Sequence, residues 1–161
     1  MVISSSKRIA LLVMVAGSLI GAFAFRPADD LKMLAAQARE KLSAIYDPEA
    51  GKMKLKKIEI RVTDDGFFRY RKFLSTGKQE YFSFSLLRLS DIRYIGNTSG
   101  GTLIIETVSD DVIVQTYNDR AGNVDSMSTD IKIPVRMAEP EDLNLIHNNL
   151  QAIKARLQRP D

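Results

Sequence analysis

The chain contains no cysteine and a single histidine, His147, in 161 residues. The missing thiols exclude disulfides, cysteine nucleophiles, iron–sulfur ligation and every cysteine-based zinc site. Stability must then come from packing alone, which suits a bacterial envelope better than a disulfide-rich extracellular setting. The lone histidine leaves general-base and metal chemistry one starting point. It falls four residues after Leu143, on or beside the apolar stripe of a predicted helix. No serine carries a nucleophile motif around it, so a packing role is the plainer reading. Neither a metal nor a cofactor is expected.

A strong excess of one charge is also missing. Lys and Arg number 23 against 20 Asp and Glu, a formal net charge of +3. Lys7 and Arg8 belong to an N-terminal leader, and without them the balance is close to neutral. Nucleic acid is therefore an unsuitable partner.

Long apolar runs are confined to one place. Lys7 and Arg8 precede an unbroken apolar stretch, Ile9 to Phe25, and Ala22 and Ala24 flank Phe23 in the small-x-small pattern of a cleavage site. Residues 1–24 read as a signal peptide. The alternative is an uncleaved anchor over residues 9–25, at the short end of the roughly 17–25 residues that span a bilayer. Either way the remainder is expected outside the cytoplasm, in the periplasm, secreted, or held at the inner membrane. A lipoprotein anchor would need a cysteine at the cleavage point.

The remaining chain is sized for one domain. Asp29 and Asp30 start an amphipathic helix over residues 28–46, with Leu31, Leu34, Ala35, Ala38, Leu42 and Ile45 at helical spacing. From Lys54 to Val135 the period changes to two, with Ile58, Ile60 and Val62 on one face of a strand and Lys57, Glu59 and Arg61 on the other. Turns are expected at Asp64–Gly66 and Ser75–Lys78, a longer loop at Gly96–Gly101, and a hairpin of Thr102–Val108 with Val112–Tyr117 closed at Ser109–Asp111. The predicted class is α+β: six or seven antiparallel strands in a partly open barrel or sandwich. A C-terminal amphipathic helix of about 18 residues caps it, with Pro140, Glu141 and Asp142 at its start and Lys154 and Arg156 near its end.

This order of elements, with Leu89 to Ile92 arriving after the third strand, resembles the pleckstrin-homology-like fold over about residues 54–158. The resemblance implies two near-orthogonal sheets closed at one corner by the last helix, and a role in recognition. Members that bind phosphoinositides carry a lysine on the first strand and a basic-x-basic pair on the second. Lys57 and Arg69-Tyr70-Arg71 match that pattern, and with Arg61 they form a candidate anion- or lipid-binding set. A plain solvated face, partly balanced by Glu59 and Asp64, is the competing account.

Other chemistry is poorly supported. The oxygen-rich loop Asn118–Asp125 lacks calcium-loop spacing, and the glycine-rich Gly96–Gly101 lacks the lysine of a phosphate loop. The expectation is therefore a non-enzymatic exported binding or assembly domain whose partner is an envelope protein. That partner would be met through a strand edge or the first helix. Anionic-lipid or phosphate binding, and an enzyme with a scattered site, are the alternatives.

Overall fold

The computed structural model describes residues 27–51 and 53–159. The leader, with Ala22 and Ala24, lies outside the described residues. Among those described, no helix is long and apolar enough to cross a membrane.

Helix α1 spans Pro27–Ile45, with Asp29 and Asp30 in its first turn, where the helix dipole favours negative charge. Its buried residues Ala35, Ala38, Leu42 and Ile45 recur every three or four positions and form one stripe. Pro48 then prevents continuation. The chain instead pairs briefly with the last strand, through a Tyr46–Val135 bridge and an Asp47 N–H donating to the Pro134 carbonyl at 3.0 Å.

Eight antiparallel strands follow: β1 Leu55–Val62, β2 Phe67–Leu74, β3 Gln79–Ser85, β4 Leu89–Asn97, β5 Gly100–Thr107, β6 Val112–Tyr117, β7 Asp125–Ser128 and β8 Asp130–Arg136. They form a five-stranded sheet ordered β1-β2-β3-β6-β7 and a three-stranded sheet ordered β4-β5-β8, not closed into a barrel. The chain thus leaves the first sheet after β3, returns at β6, and leaves again for β8. Phe68, Tyr70 and Phe84 from one sheet and Leu103, Ile105, Ile131 and Ile133 from the other fill one apolar core. This is the α+β class expected, with one strand more than the upper count.

Helix α2 is Pro140–Leu157, with Pro140 in the first turn, Glu141 and Asp142 beside it, and Lys154 and Arg156 in the last turn. It runs antiparallel to α1, because Lys41 pairs with Asp142 at 2.7 Å while Asp30 pairs with Arg156 at 3.4 Å. Its buried stripe, Ile146, Leu150 and Ile153, closes the core. The apolar face of α1 lies within the same core. Docking of a partner by that face, one of the routes expected above, is therefore corrected.

Two local expectations also change. Gly96–Gly101 is a tight hairpin rather than a long loop: Gly96 pairs with Gly101 and Asn97 with Gly100. The Tyr94 ring lies against both glycines, and a Cβ at Gly101 would stand 2.5 Å from its hydroxyl. Strands β5 and β6 do not form a hairpin. Leu103, Ile104 and Ile105 are consecutively buried, as in a central strand covered on both faces, and β5 takes β4 and β8 as neighbours. The Ser109–Asp111 turn carries the chain between sheets, held by Arg88, whose Nε lies 2.9 Å from Asp111 Oδ1.

Candidate binding face on the five-stranded sheet

Period-two alternation divides each strand of the larger sheet between the core and an outer face. On β2, Phe68 and Tyr70 are fully buried while Phe67, Arg69, Arg71 and Phe73 point the other way. Register brings the outer residues into rows. Glu59, Arg71, Tyr81, Gln115 and Asp125 lie across the five strands in one row. Arg61, Arg69, Ser83, Ile113 and Met127 form the next.

All four basic residues singled out from sequence, Lys57, Arg61, Arg69 and Arg71, stand on this face. Three of them line one cavity of about 210 Å³, with Glu59 and Tyr81 completing its walls. Lys57 stands apart, one row further along, opposite Phe73. Its ammonium lies 2.6 Å from Glu59 Oε1, while Arg61 reaches the other oxygen of Glu59 at 3.8 Å. The hydrogen bond from Lys57, joined by the Arg61 and Arg71 charges, holds the Glu59 carboxyl below the ordinary carboxylate range. Asp64, the other carboxylate proposed to balance the patch, has no ion pair among the described residues.

The arginines are ordered by aromatic neighbours. The Arg71 guanidinium lies 4.9 Å from the Phe73 ring centroid and 6.0 Å from that of Tyr117, and Arg69 lies 5.5 Å from that of Phe67. Arg71 also donates to Gln79 Oε1 at 2.5 Å. The Nε atoms of Arg69 and Arg71 are buried and, among the described residues, without a hydrogen-bond acceptor. An unmet buried donor is costly, and an acceptor placed by a ligand would relieve it.

Sequence reasoning missed the apolar half of the face. Phe67, Ile113, Tyr117 and Met127 are all substantially exposed and all point outward here. Tyr81 was also missed as a cavity wall. Period two placed such residues on one side of their own strands, but not beside the arginines.

His147 is half-buried and, among the described residues, has no hydrogen-bonded carboxylate to orient it. At one end of the sandwich, a cavity of about 130 Å³ is lined by Tyr46, Met53, Leu55, Tyr70, Leu74 and Pro134, with the Lys72–Glu80 pair (3.0 Å) at its wall. Comparison with protein-family models, with curated proteins and with solved structures finds no match for this chain.

Proposed function

We propose that this chain is a non-enzymatic binding domain of the cell envelope that recognises a protein partner through the outer face of the five-stranded sheet. The observation that carries this reading is the composition of that face. Arginines stacked on aromatic rings adjoin exposed Phe67, Ile113, Tyr117 and Met127. Aromatic residues, Met and Arg are the types enriched at protein interfaces, where they supply buried area and directed hydrogen bonds together. A carboxylate from the partner, entering between Arg61, Arg69 and Arg71, would meet the two unpaired Nε donors. The envelope location rests on the leader predicted from sequence. The pleckstrin-homology-like resemblance supports recognition over catalysis.

The same unpaired donors favour a second reading, in which the three-arginine cavity takes the phosphate of an anionic lipid. One set of variants separates the two. Photo-crosslinkers at Ile113 and Met127, but not at Lys132 on the other sheet, should capture one protein partner in cells, and Arg69→Glu with Arg71→Glu should abolish capture. Vesicle binding that survives Ile113→Asp and Met127→Asp but fails with the arginine reversals would favour lipid. Loss of neither activity on arginine reversal would remove this face from both readings.

A further inference from the structure

Strand β1 ends the five-stranded sheet, and its free edge is built unlike a protected one. The Thr63 N–H donates to the Phe67 carbonyl at 3.0 Å, which fixes the alternation of the β1–β2 ladder. Glu59 and Arg61 direct their backbone groups at β2, so Ile58, Ile60 and Val62 direct theirs outward. Among the described residues, those outward groups have no backbone partner. Lysines and a register irregularity guard only the start of the strand, at Leu55–Lys57. From Ile58 to Val62 there is no proline, no bulge and no inward charge. Helix α1 flanks this edge without pairing to it, and an open groove of about 520 Å³ lies between them, lined by Arg39, Ser43 and residues 58–63.

We infer that β1 pairs antiparallel with β1 of a second copy, with Ile60 on the two-fold axis, making one continuous ten-stranded sheet. Charge selects this occupant and this register. With Ile60 opposite its own counterpart, Ile58 meets Val62 of the other copy, and their outward backbone groups exchange hydrogen bonds. Glu59 then stands opposite Arg61 of the other copy, twice by symmetry, in the closely spaced pairs where side chains meet. The neighbouring registers that keep the same hydrogen-bonding parity fail. Moving the axis to residue 59 sets Glu59 against itself and Lys57 against Arg61, and moving it to residue 61 sets Arg61 against itself. The pair Glu59-x-Arg61 is thus complementary to its own reverse around Ile60, while an axis at residue 58, which would set Lys57 against Glu59, falls on the irregular start of the strand. The two arginine-bearing faces would lie side by side on the joined sheet. The pairing itself depends on the β1 edge and not on what those faces bind.

The test uses the full chain and two charge reversals. Wild-type protein should sediment with twice the mass of one chain. Glu59→Arg places two arginines opposite each other and Arg61→Glu two glutamates, so each alone should raise the dimer dissociation constant by roughly tenfold or more. An equimolar mixture restores opposite charges at both positions and should recover the dimer. Should either reversal perturb the fold, the absence of native cysteine offers a second route: Glu59→Cys mixed with Arg61→Cys should cross-link under mild oxidation far more than either alone. A wild-type monomer at all concentrations, equal cross-linking in all three samples, or no recovery in the charge-swapped mixture would overturn the inference. Capture of an extended peptide by a monomeric β1 edge would overturn it likewise.

Discussion

Gly66, in the turn between β1 and β2, lies so close to the last turn of α2 that a Cβ there would stand 2.3 Å from Leu157 Cδ1. The glycine also has φ +85°, a left-handed conformation that other residues adopt with strain. The contact joins the first hairpin to the C-terminal helix. Gly66→Ala should therefore cost about 1–2 kcal/mol, mostly backbone strain with a smaller part for turning the end of the Leu157 side chain aside. Gly77 has a similar φ, +90°, but an added Cβ would meet nothing within 4 Å. Gly77→Ala should cost only about 1 kcal/mol. In urea denaturation, combining Gly66→Ala with Leu157→Ala should cost less than the sum of the two alone, because truncation makes room for the new methyl group.

The buried Tyr70 hydroxyl donates to Tyr46 at 3.0 Å, and the rings meet edge to face. Burial pushes the Tyr70 phenol far above the ordinary tyrosine range, with the Tyr46 hydroxyl adding to the shift. Burial raises Tyr46 as well, partly opposed by the Tyr70 hydrogen bond. A raised folded pKa means that the native state holds the proton more tightly. The stabilisation is complete below the unfolded value of about 10 and is lost as pH rises beyond it. Denaturation midpoints measured from pH 8 to 11.5 should fall along an alkaline limb. Tyr70→Phe should flatten that limb by up to about 1.4 kcal/mol per pH unit. An unchanged slope would mean that Tyr70 titrates freely in the native protein.

The elements easiest to read from sequence were those whose signals are local. For α2, a proline in the first turn, acidic residues beside it, one apolar stripe and basic residues near the end agreed on the same helix, and Ile146, Leu150 and Ile153 are buried accordingly. The outward placement of Arg69 and Arg71 followed equally from Phe68 and Tyr70 between and beside them. The β1–β2 and β2–β3 hairpins followed from their turns at Asp64–Gly66 and Ser75–Lys78, but partners beyond them were not legible, because alternation assigns a face and not a neighbour. Strand β5 shows this: Ser109–Asp111 suggested a hairpin to β6, while the partners chosen were β4 and β8. Three consecutive apolar residues, Leu103 to Ile105, were the available sign of a central strand. Tyr81 joined Arg71 through the register of the β2–β3 hairpin, and Met127 joined its row only through pairings between strands far apart in the chain.

Asn149 is the buried polar residue between the two helices, 8% exposed, and its side-chain amide donates to Gln37 Oε1 at 3.1 Å and to the Leu34 carbonyl at 3.4 Å. Asn149→Ala leaves both acceptors without this donor inside the helix pair, and should cost about 1–3 kcal/mol. Gln37→Ala removes an acceptor on the exposed side of α1, where water can serve in its place, and should cost less. Hydrogen exchange should show faster opening of α1 in Asn149→Ala, with β2 and β5 still protected.

Lys78, in the β2–β3 turn, places its ammonium 2.7 Å from Asp119 Oδ2, tying that turn to the loop after β6. The Lys78 hydrogen bond, and then the Ala121 N–H donating to Oδ1 at 3.0 Å, hold the Asp119 carboxyl below the ordinary aspartate range. With the folded pKa lowered, the contribution is present above the unfolded value of about 3.9 and lost as pH falls through the folded one. Asp119→Asn should therefore unfold earlier than wild type at pH 7, with the gap narrowing as pH falls below about 4 and Asp119 takes up its proton. Salt should shrink the gap at pH 7 only in part, because it screens the ammonium attraction incompletely at this half-buried pair. The Ala121 N–H bond is short-ranged and persists, and Asn offers it an oxygen of its own. A gap unchanged between pH 7 and pH 2 would assign the effect to loop geometry and not to charge.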